Sequence, residues 1–161
     1  MSKLNIKYSF VPPSIKLLFN NSQLEMIRTL CLIYSFYQQS KRKFIKIEEV
    51  VFYYCLVNFD MIRLIESEDD QVSIRTNLNY RYQQNVNQII LELGNLKFIE
   101  LNGNLNFKSS QLKVRLTHQG HDFIQKLEIN YFSELIKEYS RVINLIDSNQ
   151  KNQKKLKGVR T

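Results

Sequence analysis

The chain reads as a mainly α-helical protein with one small β-hairpin, and three observations carry that reading. Apolar residues recur at helical spacing in three successive stretches before residue 94. Asn102-Gly103, a dipeptide suited to tight hairpin turns, separates two short β-runs. A final stripe, Phe132, Leu135, Ile136, Tyr139, Val142, Ile143 and Ile146, repeats like a heptad. A length of 161 residues suits one domain of ordinary size or two small ones.

Residues 1–20 read as an extended arm punctuated by Pro12 and Pro13. Ser22 and Glu25 form a capping-box signature, and Leu24, Ile27, Cys31 and Tyr34 continue a first helix to about Gln39. The polar, basic Ser-Lys-Arg-Lys loop follows. A second helix spans about 47–65, with Ile47, Val50, Val51, Tyr54, Met61 and Ile65 on one stripe and Phe52, Tyr53, Leu56 and Phe59 on other faces. A helix apolar nearly all round is either central in its domain or covered by another chain. The favoured expectation is an exposed face that a partner covers.

The polar run 66–80 reads as a loop. A third helix covers about 79–93, with Val86, Ile89, Ile90 and Leu93 facing the core and Arg81, Gln84, Gln88, Leu91 and Asn95 opposite. Gly94 suits its termination. Leu96–Leu101 opens the hairpin and Leu105–Phe107 begins the return. Leu112, Val114 and Leu116 then alternate inward against outward Lys113 and Arg115. Thr117 suits the N-cap of a helix bearing Phe123, Ile124 and Leu127. The last helix, about 129–146, is too short for an independent coiled coil, so it docks on the domain or zips against a partner. The expected organisation is therefore an arm over 1–20, a domain over 21–128, an amphipathic helix over 129–148 and a flexible basic tail over 149–161.

The formal net charge is +8, from 23 basic and 15 acidic residues. Five cations (Lys151, Lys154, Lys155, Lys157 and Arg160) lie in the last eleven residues, which leaves residues 1–150 at +3. A second cluster, Lys41, Arg42, Lys43 and Lys46, sits between apolar segments. Such cations contact phosphates without reading bases, or simply keep the surface solvated. Cys31 and Cys55 fall within apolar helical runs, as buried free thiols do. No long apolar run follows the N-terminal residues, and Val50–Ile65 is shorter than a membrane span and carries Asp60 and Arg63. These features read as a cytoplasmic protein with no membrane contact.

No catalytic constellation emerges. His118 and His121 stand three apart beside Asp122, but zinc wants three or four ligands and no cysteine is near. Glu66, Glu68, Asp69 and Asp70 lack the glycine and terminal glutamate of a calcium loop. Phosphate-binding and nucleophile-elbow motifs are absent from the sequence. The reading is of a non-enzyme with no cofactor and no metal.

The order helix, helix, helix, hairpin, helix resembles a winged helix, and the stretch Ile47–Leu127 carries the resemblance. The resemblance concentrates in LELGNLKFIELNG and LKVRLTHQGHDFIQKL, above all in Leu116-Thr117-x-x-Gly120-x-x-Phe123. Winged helices serve both as DNA readers and as docking modules. In a reader, the outer face of the third helix enters the major groove. Here that face offers one cation, Arg81, beside Gln84, Gln88 and Leu91, with Glu92 close by. Size, element order and texture, including SKRKFIKIEEVVFYYCLVNFDMI, also make the chain similar to the middle component of bacterial ABC three-component, Lamassu-like defence systems. It is more distantly similar to the kite subunits of SMC complexes.

That resemblance implies a non-enzymatic subunit bridging an SMC-like coiled-coil ATPase and an effector nuclease against phage or plasmid DNA. It assigns no individual residue. The expected protein contacts are Phe52, Tyr53, Leu56, Phe59, Leu91, Leu135 and Tyr139, with a second copy of the chain as a further partner. The expected contacts to double-stranded DNA are Lys41, Arg42, Lys43, Arg81, Lys113, Arg115, Lys151, Lys154 and Lys155, with Lys108 in the loop beside them. The rival is a dimeric transcriptional regulator reading bases through Arg81, Gln84 and Gln88.

Overall fold

The computed structural model describes residues 21–62, 65, 76–103 and 112–156. The first helix, α1 (Asn21–Gln39), leads through a basic loop to β1 (Ile45–Lys46) and α2 (Ile47–Asn58). Then come α3 (Thr76–Asn95), β2 (Ile99–Asn102), β3 (Lys113–Leu116), α4 (His118–Gln125), α5 (Asn130–Leu145) and α6 (Gln150–Leu156). The described residues are thus mainly helical, with one small antiparallel sheet of order β1-β3-β2.

The alternation expected of β3 is observed. Val114 and Leu116 are buried, as are Ile45 and Ile99 beside them, while Lys113 and Lys46 are exposed. β1 was not expected, because two residues are too few to show a period. It is held by Ile45 opposite Val114 and by the Ile47 amide donating to the Leu112 carbonyl at 3.1 Å. The turn past Gly103 and the expected run at 105–107 lie outside the described residues, as do the arm over 1–20 and the acidic run over 66–70.

α1 is the hub. Every side chain from Thr29 to Ser35 is buried, and the helix touches α2, α3, β3, α4 and α5. α1 is already helical at Asn21, so Ser22 is not its cap. α5 lies along α1 in the same direction. Arg28 Nε donates to Tyr131 Oη at 2.8 Å near one end, and Gln39 Nε2 donates to Asn144 Oδ1 at 3.4 Å near the other. Its inward stripe is as the sequence suggests, and it docks on its own domain: Phe132, Leu135, Tyr139 and Val142 are buried.

Two helix ends differ from expectation for one reason. α2 stops at Asn58, not near 65. Asp60 takes the left-handed conformation (φ 53°), and the Met61 amide bonds back to the Leu56 carbonyl at 3.0 Å. α3 continues through Gly94 and ends with Lys97 left-handed (φ 63°). There the Phe98 amide reaches Leu93 and the Lys97 amide reaches Gly94, each at 3.0 Å. This Schellman pattern satisfies terminal carbonyls and turns an apolar residue back onto the core. Met61 and Phe98 are those residues, so burial just after the helix sets each end. The tail, expected to be flexible from 149, instead forms α6 through Leu156, whose side chain is buried.

Candidate docking and nucleic-acid surfaces

α2 offers no apolar face to a partner. Phe52, Tyr53 and Leu56 are buried in the chain's own core, as are Leu135 and Tyr139. Phe59 is half-buried, edge-on to Tyr54 with ring centroids 5.9 Å apart. The expected role of these six in partner contact is therefore corrected. The physical reason is that α5 and α6, late in sequence, both pack on α2 and cover what the first three helices leave open. Polar tips are satisfied there too. Tyr53 Oη donates to the Ile146 carbonyl at 2.7 Å, and Asn58 Nδ2 donates to Tyr139 Oη at 2.6 Å. Tyr54 stacks on Tyr82 at 3.7 Å, and Tyr82 Oη shares a 2.7 Å hydrogen bond with Thr29 Oγ1. Burial pushes all three of Tyr54, Tyr82 and Tyr139 above the ordinary phenol range, so they stay neutral.

Exposed large apolar groups are spread over Tyr80, Ile129, Tyr131 and Leu145 as well as two leucines near the end of α3. Leu91 is 37% exposed and Leu96 52%. Leu96 lines a groove of about 420 Å³ with Met26, Ile27, Leu93, Phe98 and Phe123, rimmed by Ser22, Gln23 and Glu92. Of the residues expected to meet a partner, Leu91 alone is exposed. Sequence reading missed this groove because Met26 and Ile27 are distant in the chain from Phe98 and Phe123.

The junction that carried the winged-helix resemblance builds one wall of the groove. Thr117 caps α4: its Oγ1 accepts from the Gly120 amide at 3.1 Å and donates to the Lys97 carbonyl at 2.6 Å. The Thr117 amide donates to the Phe98 carbonyl at 3.0 Å, and Phe123 stacks on Phe98 with centroids 4.7 Å apart. Gly120 sits so close that a Cβ there would lie 2.2 Å from the Phe98 carbonyl oxygen. The spacing Leu-Thr-x-x-Gly-x-x-Phe thus locks the start of α4 onto the entry to β2.

The cations divide into groups. Arg81 is exposed on α3 with Gln84, but Gln88 Nε2 donates to Glu92 Oε1 at 3.0 Å. Lys41, Arg42 and Lys43 are exposed in the α1–β1 loop. Lys113 is exposed and lies directly opposite Lys46 in the register. Arg115 is not the free cation expected. Its Nη2 lies 2.6 Å from Glu100 Oε2, its Nη1 donates to the Arg42 carbonyl at 3.2 Å, and its guanidinium lies 4.3 Å over the Phe44 ring. On α6, Lys151 and Lys154 are exposed, whereas Lys155 Nζ donates to the Ile65 carbonyl at 3.4 Å. Lys108 lies outside the described residues.

His118 and His121 both approach Asp122, at 3.5 and 3.7 Å, and His121 packs against Tyr34 and Tyr37. Among the described residues no group of three or more His, Cys, Asp or Glu is placed to hold a metal ion. Cys31 and Cys55 are buried and free of disulfides, and burial raises both thiols, Cys31 to about 12. Neither is a thiolate at neutral pH. No helix among the described residues is long and apolar enough to cross a membrane. Compared with protein-family models, curated proteins and solved structures, the chain matches none.

Proposed function

We propose that the protein is a non-catalytic winged-helix subunit that docks on another protein in the bacterial cytoplasm, through the groove between α1, the end of α3 and Phe123 of α4. The order α1-β1-α2-α3-β2-β3, with β3 central in the sheet, supports the winged-helix assignment. The observation that carries the docking reading is the apolar groove lined by Met26, Ile27, Leu93, Phe98 and Phe123, with Leu96 exposed along it. Aromatic and Met-lined recesses of this kind anchor partner side chains.

In this reading the partner is the one the resemblance implies, an SMC-like coiled-coil ATPase. The subunit links it to an effector nuclease in defence against phage or plasmid DNA. α3 favours docking over base reading. Its outer face has Arg81 as its cation, ties Gln88 to Glu92 and exposes Leu91. Co-expression with a coiled-coil ATPase from a neighbouring reading frame tests the proposal. A stable complex is expected, abolished by Leu91→Glu with Leu96→Glu while the isolated variant keeps its melting temperature. A complex indifferent to both substitutions, or a locus encoding no such ATPase, contradicts it. Enrichment of one DNA sequence from a random pool, lost in Arg81→Ala with Gln84→Ala, supports the regulator instead.

A further inference from the structure

The outward face of the sheet carries a cationic row that the groove does not explain. Strand alternation places Phe44 and Lys46 on that face beside Lys113 and Arg115. Lys46 and Lys113 are directly opposite each other, an arrangement that like charges disfavour. Asn102, on the other side of Lys113, supplies no charge. Among the described residues no ion pair neutralises Lys46 or Lys113, whereas Arg115 and Glu100 neutralise one another. Glu48 and Glu49, in the first turn of α2, are half-buried, and Glu49 lines a cavity with Lys43 and Asp147.

Arg115 has a different part. By donating to the Arg42 carbonyl it ties the α1–β1 loop to β3. The exposed Lys41, Arg42 and Lys43 therefore continue the row begun by Lys46 and Lys113. The sheet face gives no apolar side chain for insertion into a bilayer, since Phe44 lies under the Arg115 guanidinium. It also lacks the apolar centre of a protein interface. A row of long, unpaired cations held by a rigid strand pair fits a regular array of phosphates.

We propose that this sheet face, through Lys46, Lys113 and the Lys41–Lys43 loop, holds the phosphate backbone of double-stranded DNA without reading its bases. The site lies at the opposite end of α1 from the groove and stands independently of the docking reading. Lysines on an edge strand such as β1 also block strand addition. Glutamate keeps that block while reversing the sign of charge, so Lys46→Glu with Lys113→Glu separates the two roles.

The test is anisotropy of a labelled random-sequence duplex of about 30 base pairs, titrated with the full chain across about 50 to 200 mM salt. The native chain is expected to bind with an affinity that falls steeply with salt and is the same for unrelated sequences. The double variant is expected to lose at least about tenfold in affinity and to flatten the log–log salt slope by about 2, near 0.9 per phosphate contact. Arg81→Gln is expected to change neither. Unchanged binding in a double variant of native melting temperature overturns the proposal, as does a greater loss in Arg81→Gln. Binding to phosphatidylserine vesicles but not to duplex also overturns it.

Discussion

Gly120 and Gly94 show how much one absent Cβ decides. At Gly120 a methyl group would strike the Phe98 carbonyl oxygen and, at 2.8 Å, the Leu116 side chain. That carbonyl already accepts from the Thr117 amide, so it is not free to retreat. Gly120→Ala is expected to destabilise by more than about 2 kcal/mol. Gly94, inside α3, would place its Cβ 3.4 Å from the flexible Leu101 side chain, an ordinary contact. Gly94→Ala is expected to stabilise by about 0.5–1 kcal/mol through helix propensity. Chemical denaturation of the two variants measures both, and equal effects of the same sign would contradict this packing.

Glu25 supplies a pH-dependent case at the same scale. Burial raises its carboxyl above the ordinary range, against the opposing pull of Arg81 and Arg28. A carboxyl raised in the folded state binds its proton more tightly there than when unfolded. Its contribution is therefore fully present in acid, below the unfolded value, and is lost as pH rises through the folded one. Glu25→Gln removes this penalty. The variant is expected to melt above the native chain at pH 7, with the difference shrinking as pH falls towards about 4. A difference that grows on acidification would reverse the assignment.

The elements divide by the range of the forces that shape them. The period-3.6 stripes of α1, α3 and α5, the alternation of β3 and the Thr117 cap are local patterns, and each is legible in the sequence. The Leu116–Phe123 junction is legible too, because its cap, close glycine and stacked ring lie within eight residues. The ends of α2 and α3 are not, because left-handed Asp60 and Lys97 are stabilised by burying the residue that follows. The fate of α2 is least legible, since it is decided by α5 and α6, which follow more than seventy residues later. The same distance hid the groove, whose lining comes from α1, the end of α3 with Phe98, and α4.

α6 is where this long-range closure is most exposed to test. Leu156 is its buried anchor, and Tyr53 Oη on the Ile146 carbonyl fixes the segment leading to it. Leu156→Ala is expected to lower stability by about 2 kcal/mol. Tyr53→Phe leaves a buried carbonyl without its partner and is expected to lower it by about 1–2 kcal/mol. Thermal unfolding followed by circular dichroism reads both, as drops of about 2–4 °C per kcal/mol. A Leu156→Ala variant as stable as the native chain would mean that α6 does not close the core.

At the scale of the molecule, the surfaces follow from what the core consumes. A chain with 43% hydrophobic residues spends its richest helix internally. An apolar groove remains near the start of α1 and a cationic sheet face near its end. Both depend on α2 being covered from within a single copy. Hydrogen exchange of the isolated full chain, resolved over residues 47–58 and repeated across a wide dilution series, measures that most directly. Amides of Val51–Leu56 are expected to exchange only through global unfolding, at rates independent of protein concentration. Fast exchange on dilution, slowed when copies associate, would show α2 to be covered by another chain and would contradict this fold's central claim.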